Sequence, residues 1–215
     1  AKDGLLFSPL GTGPVNHPRQ IVRYPDTASF GEPRAFPLVY RVRAQNSEKK
    51  LLRQALRVIT DTNFSRMKLE RLAEVPAHLL YVLPAGVDQL LQVEAEPLVL
   101  DNNRLQPFEY VLASREEAPY CNIELLLEAA ASPEMQDIRF AVIDRGSDNP
   151  LTTPLTPNVT LVRRIKPVEL RALYENAAVF VNLATYGDLP FTALESIACQ
   201  CPVLSSTSAA FPEVL

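Results

Sequence analysis

Arg115 stands six residues before Cys121, in a short segment that separates an apolar run from a helical stretch opening at Asn122. A guanidinium there is a fixed cation suited to a diphosphate, although Glu116 and Glu117 beside it would oppose such a group, and a surface arginine is the ordinary alternative. Glu195 falls in a second helical stretch, and a carboxylate near the carboxyl end of a strand can accept hydrogen bonds from ribose hydroxyls. An exposed helical glutamate is the ordinary alternative. Gly11-Thr12-Gly13 lacks a third glycine and a helical continuation, so it fails as a dinucleotide fingerprint and is assigned to a loop. Cys199-Gln200-Cys201 has metal-binding atoms, but His17 and His78 are distant in sequence and no second cysteine pair exists, which favours two small buried residues where a helix meets a strand. Arg41, Arg43, Lys49, Lys50, Arg53 and Arg57 form a basic segment that could touch lipid head groups or acceptor phosphates. Leu51, Leu52 and Leu56 give the same helix an apolar face, which favours a solvated structural helix.

The elements that would position these residues alternate. Apolar runs of strand length predict strands over 4–9, 20–24, 57–60 and 79–84, with helices over 47–56 and 63–72. A stretch from 88 to 107 mixes Leu, Glu and Pro without a clean period, and its Asp101-Asn102-Asn103 reads as a turn, so residues 89–107 are expected to connect two domains. The second half predicts strands over 110–113, 139–143, 159–162, 179–183 and 202–204, and helices over 122–131, 167–177 and 190–199. Ile123, Leu126, Leu127 and Ala130 fall at helical spacing, as do Leu170, Leu173, Tyr174 and Ala177, so each helix buries one stripe on a sheet. Asn122 suits an N-cap, and Pro167 and Pro190 suit first helical turns. The pattern is that of an α/β protein with parallel sheets. In such sheets ligands bind beyond the carboxyl ends of the strands, which singles out the loops at 114–121 and 184–189. Plain structural turns remain the alternative for both.

With 215 residues and 47% hydrophobic content the chain has ample material for one large or two small cores. A balance of 21 basic against 25 acidic residues leaves a net charge of -4, which supplies no global field for nucleic acid. No apolar run approaches the roughly 20 residues of a membrane span. Three unevenly placed cysteines do not make a secreted disulfide framework and fit a reducing, cytoplasmic setting. The absence of an initiator methionine and the helix-like opening at Phe211 lead to the expectation of a fragment with an incomplete last unit.

Three segments resemble the carboxyl-terminal signature of family-4-type retaining glycosyltransferases: Leu173 to Asn182, Asp188 to Val203, and Phe211 to Val214. Val58 to Ser65 and Val82 to Asp88 are similar to that family's strand-and-helix segment before the hinge and to its interdomain strand, and Phe7 to Asp26 to a more variable amino-domain stretch. The resemblance implies a GT-B-like α/β fold of two Rossmann-like parallel-sheet domains, each incomplete: an acceptor-side domain over 1–88 and a nucleotide-sugar-binding domain over 108–215. It implies sugar transfer with retention from a nucleotide sugar to an unidentified acceptor, in glycan or cell-surface polysaccharide synthesis, with no obligatory metal and no cofactor. The cytoplasm, at the inner face of the membrane where an acceptor requires it, is the implied location, with peripheral membrane contact or a protein partner as further expectations.

By the same resemblance Arg115 would contact the diphosphate and Glu195 the ribose, while no catalytic residue can be named. Three motif positions depart from the family pattern. The lysine expected six residues after Arg115 is Cys121, the first glutamate of the E-x7-E motif is Gly187 unless neighbouring Asp188 takes its place, and the His of a His-Asp pair is Pro25. A neutral thiol, a hydrogen and a pyrrolidine ring cannot replace charge or a proton donor. The alternative expectation is therefore a catalytically degenerate glycosyltransferase-like domain that binds or scaffolds.

Overall fold

The computed structural model describes residues 4–17, 19–116, 118–145 and 151–215. These form two compact units. The first comprises Ala1–Ala85 with Tyr186–Pro190 and Ser208–Val214, and the second comprises Gly86–Thr185 with Phe191–Thr207 and Leu215.

In the first unit four parallel strands lie in chain order: β1 (Leu6–Ser8), β2 (Gln20–Arg23), β3 (Arg57–Thr60) and β4 (Leu80–Val82). Between β2 and β3 run α1 (Ala28–Gly31), α2 (Leu38–Arg43), a wide turn at Ala44–Glu48 and α3 (Lys49–Gln54); α4 (Asn63–Leu72) follows β3. Val22, Tyr24, Leu51, Leu52, Val58, Leu69 and Leu80 make one core. Thr62 caps α4 by accepting from Ser65 N at 3.1 Å. The basic segment, expected as a solvated helix face, is divided among α2 (Arg41, Arg43), α3 (Lys49, Lys50, Arg53) and β3 (Arg57). Leu51 and Leu52 anchor α3, while Leu38, Val39 and Val42 of α2 stay exposed.

The second unit holds α5 (Leu98–Asn102), β5 (Tyr110–Arg115), α6 (Ile123–Ala130), β6 (Arg139–Asp144), β7 (Val159–Arg163), α7 (Pro167–Glu175), β8 (Val179–Asn182), α8 (Phe191–Ala198) and β9 (Val203–Ser205). Its five strands are parallel, in the order β7-β6-β5-β8-β9. This is the doubly wound order, with a switch point between β5 and β8. The two-residue period of the strands divides the core cleanly. Leu112, Ala141, Ile143, Val162 and Phe180 face α5 and α7, whereas Ala113, Phe140, Val142, Val159 and Val181 face α6.

Residues 89–107, expected as an interdomain connection, pack into this second unit. Leu90, Val99, Leu100 and Leu105 are buried in the core with Tyr110 and Leu173. Conversely, Tyr186–Pro190 and Ser208–Val214, which includes α9 (Phe211–Val214), were expected within 108–215 and group with the first unit. Asn122 is not a side-chain cap. Its backbone is left-handed at φ 57, and its Nδ2 donates instead to Leu183 O at 3.3 Å. Among the described residues no helix is long and apolar enough to cross a membrane.

Asn158 closes the loop that leads into β7. Its Nδ2 lies 3.1, 3.0 and 3.1 Å from the carbonyl oxygens of Ala130, Met135 and Ile138, and its Oδ1 accepts from Thr156 Oγ1 at 2.6 Å. Asn158→Ala strips a donor from the end of α6 and from the turn that follows it. Thermal or urea unfolding is expected to show a loss of about 1–3 kcal/mol; an unchanged melting point would show that water replaces the clamp.

Candidate functional site

The carboxyl edge of the five-stranded sheet is charged. Arg115, Asp144 and Arg163 end β5, β6 and β7 and are register partners across the three strands. The buried Asp144 carboxylate receives Arg115 Nη1 at 3.4 Å and Arg163 Nε at 3.0 Å. The Arg115 side chain is 6% exposed and that of Arg163 is 65% exposed, so the first cation lies inside the sheet edge and the second extends toward solvent.

Beside this edge lies a cavity of about 810 Å³ within the second unit, lined by the apolar Leu90, Val93, Ile143, Ile165 and Leu170 and by the charged Asp144, Arg145, Arg163, Arg164 and Glu195. One wall is the segment at Asp88–Gln92, held by Arg171 of α7, whose Nη1 donates to Leu91 O at 2.9 Å and to Val93 O at 2.6 Å. Glu195 projects from α8. Its Oε2 accepts from Arg145 Nη2 at 3.3 Å and from the Tyr174 hydroxyl at 3.2 Å. Arg164 adopts a left-handed backbone, φ 54, immediately after β7, a conformation that costs free energy for a non-glycine residue and is found disproportionately at binding sites.

The two loops singled out at the switch point are bonded to each other. Thr185 N donates to Tyr120 O at 2.8 Å, and Asn122 Nδ2 reaches Leu183 O. The cavity therefore lies beyond the ends of β6 and β7. Asp144, Arg145, Arg163, Arg164 and Tyr174 were missed by sequence reasoning, and the available signal was that Asp144 and Arg163 are charged residues terminating apolar runs.

Residues 109–215 match the family model described as glycosyl transferases group 1. The matched segment is just under half of the chain. No protein of curated function matches the chain by sequence. Among solved structures, sucrose-phosphate synthase from Thermosynechococcus elongatus is 19% identical with a TM-score of 0.71, over 89% of this chain and 51% of its own. HepE of Anabaena in complex with UDP-glucose is 16% identical at a TM-score of 0.68, over 90% and 55%. WaaG, a glycosyltransferase involved in lipopolysaccharide biosynthesis, is 13% identical at 0.65, over 90% and 60%. At such identities the likeness shows the fold, a GT-B pair of Rossmann-like units. The chain spans little more than half the length of these structures.

Against the glycosyltransferase pattern, Arg115 and Glu195 both lie in the second unit, Glu195 in the cavity wall and Arg115 against Asp144. Asp188 lies in the first unit. Its Oδ2 accepts from Thr27 N, and its Oδ1 accepts from Thr27 Oγ1 and Ser65 Oγ, both at 2.6 Å. Gly187 is pressed on Phe211: a Cβ there would come within 2.9 Å of the Phe211 ring. The half-buried Pro25 precedes Asp26, whose Oδ1 accepts from Ala28 N at 2.8 Å. Cys121 is partly buried, with its Sγ 3.6 Å from Glu116 O; Glu117 lies outside the described residues. Burial pushes the Cys199 and Cys201 thiols up to about 11, which keeps them protonated and poor metal ligands.

Two predictions follow from this placement. Burial, opposed by the Ser65 and Thr27 hydrogen bonds and reinforced by the Asp26 charge, pushes the Asp188 carboxyl up to about 6 from its ordinary 3.8. A raised folded-state value means that the folded chain holds a proton between about pH 4 and 6 that the unfolded chain has lost. The stabilisation is full below about pH 4 and disappears as pH rises through 6. Unfolding measured across that range should show the wild type losing stability relative to Asp188→Asn by roughly 3 kcal/mol; a pH-independent difference would refute the assignment. Gly187→Glu, which introduces the glutamate that the sequence resemblance leads one to expect there, should lower stability by about 1–3 kcal/mol because Phe211 is itself buried and must move. A melting point at or above that of the wild type would show that the ring yields freely.

Proposed function

We propose that the second unit binds a nucleoside diphosphate sugar, with the nucleoside in the cavity beyond β6 and β7, and that the chain is the donor-binding part of a retaining glycosyltransferase of glycan or cell-surface polysaccharide synthesis. The observation that carries this reading is the composition of that cavity. An apolar floor of Leu90, Val93, Ile143, Ile165 and Leu170 suits the faces of a base, Glu195 suits vicinal ribose hydroxyls, and Arg145, Arg163 and Arg164 suit a diphosphate. HepE, a structural neighbour, was solved with UDP-glucose and with UDP and glucose, which makes the same ligand class the first to test.

In such a transfer the bond from the anomeric carbon to the diphosphate oxygen breaks, a bond to the acceptor oxygen forms on the same face, and the acceptor proton passes to the departing diphosphate. Arginines at the cavity rim would stabilise the developing charge without an obligatory metal. A second reading is favoured by the burial of Arg115 against Asp144 together with Cys121, Gly187 and Pro25 at motif positions: a unit that binds a nucleotide and transfers slowly or not at all, serving as a binding or scaffolding partner. An acceptor at the inner face of the membrane and a protein partner belong to this proposal as well.

Calorimetric titration with UDP, GDP and ADP tests the binding step. One nucleotide should saturate, and Arg145→Ala should weaken it about 10- to 100-fold, the value of a charge-assisted hydrogen bond. Arg115→Ala should mainly lower the melting temperature by removing one of the two cations that meet the buried Asp144 carboxylate, at a cost of about 1–3 kcal/mol while Arg163 stays in place. No binding by any of the three nucleotides would sink the donor-site reading; binding without detectable hydrolysis or transfer of the matching nucleotide sugar would select the second.

A further inference from the structure

We propose that Tyr174 is a positioning residue for Glu195: with Arg145 it fixes one oxygen of the carboxylate, leaving the other to take a ribose hydroxyl of a nucleotide in the cavity. The inference rests on the nucleotide-binding reading above and adds the residue that enforces discrimination at the sugar.

Tyr174 is completely buried, and a phenol hydroxyl in such a place is costly unless it finds a partner. Its partner is Glu195 Oε2 at 3.2 Å. Burial raises the Tyr174 phenol well above its ordinary range, so it remains a neutral donor wherever the protein is folded. The ring is enclosed by the core cluster of the second unit, so no single neighbour holds it. Phe180 meets it edge-on, with centroids 5.7 Å apart and planes at 72°, and α7 itself is tied to the sheet by the Tyr110 hydroxyl, which donates to Leu173 O at 2.6 Å.

Arg145 differs in that its side chain is 42% exposed, so its hold on the same Oε2 is screened and adjustable. The rigid member of the pair is therefore the tyrosine. Both donors converge on Oε2, and with that oxygen held and the side chain anchored on α8 the carboxylate plane, and with it the other oxygen, keeps little freedom. A phenylalanine at 174 would satisfy the helix stripe and the core equally well; what the hydroxyl adds is the orientation of Glu195.

The test compares UDP with 2′-deoxy-UDP, or the matching pair for GDP or ADP where that is the nucleotide bound, by calorimetry on the wild type, Glu195→Gln, Tyr174→Phe and Phe180→Leu. The wild type should prefer the ribonucleotide about tenfold, the worth of one hydrogen bond to a charged group. Glu195→Gln and Tyr174→Phe should each reduce that preference to threefold or less, while Phe180→Leu, which loosens the same packing but keeps the hydroxyl, should retain it. Full preference in Tyr174→Phe alongside its loss in Glu195→Gln would overturn the proposal and leave the ribose role of Glu195 standing. Loss in Phe180→Leu as complete as in Tyr174→Phe would assign the effect to packing and overturn it as well. Unaltered preference in Glu195→Gln, or no diphosphate binding by the wild type, would remove the donor-site reading and this inference with it.

Discussion

A carboxylate buried at the end of a parallel strand must be met by positive charge, and Asp144 is met from both neighbouring strands, by Arg115 and by Arg163. Much of the second unit's chemistry follows from that requirement. It draws the Arg115 guanidinium into the sheet edge, where it is shielded from solvent, and it aligns the ends of β5, β6 and β7 in register. One residue later, Arg145 leaves the edge and pairs with Glu195, which the Tyr174 hydroxyl also contacts. The sheet edge and the cavity wall are thus two adjacent groups of paired charges, and a substitution in one is expected to shift the geometry of the other, since effects within a shared network do not add.

The units that were legible from sequence are those whose burial follows a simple period. β3 and α4 occupy the expected residues, and β5, β6, β7 and β8 lie within two residues of expectation, because alternate residues of a two-faced sheet and one stripe of a packed helix leave a repeating signal. Residues 88–105 left none. Leu90, Val99, Leu100 and Leu105 are buried at irregular spacing along a short 3-10 segment and a five-residue helix, so a wall of the cavity read as a connection. Of the residues singled out in the sequence as donor-binding candidates, Glu195 is the one that lines the cavity. Asp144 and Arg163 gain their meaning from partners 29 and 19 residues away, and Tyr174 looked like one more stripe residue because a sequence does not show where a hydroxyl ends.

The first unit puts carboxylates to a different use. The Asp188 carboxylate receives Thr27 N and the hydroxyls of Thr27 and Ser65, and that of Glu213 receives Asn63 N at 2.7 Å and Phe64 N at 2.9 Å at the opening of α4. The first amides of a helix have no partner within the helix, and an anion there is favoured by both hydrogen bonding and the helix dipole. Asp188 and Glu213 lie in segments carrying the glycosyltransferase signature, yet in this chain they join Tyr186–Pro190 and Ser208–Val214 to the amino-terminal sheet unit. Gly187 fits the same arrangement. Its missing side chain allows Phe211 to close against the backbone, a contact that a glutamate would prevent.

The charge available to a diphosphate at the proposed site is consequently narrow. Arg145, Arg163 and Arg164 line the cavity together with Asp144 and Glu195, three positive groups and two negative, which leaves a net charge of +1. Two of those arginines already contact a carboxylate, so a phosphate must compete for them. That competition affects the two halves of the proposed reaction unequally. Recognition of base and ribose draws on the apolar floor and on Glu195, neither of which depends on freeing a cation. Departure of the diphosphate draws on donors that must strengthen as negative charge develops, because only interactions stronger in the transition state than in the ground state accelerate a reaction. A guanidinium held by a carboxylate strengthens less than one already committed to the phosphate. Under the proposed reading, charge pairing therefore weighs more heavily on sugar transfer than on nucleotide binding.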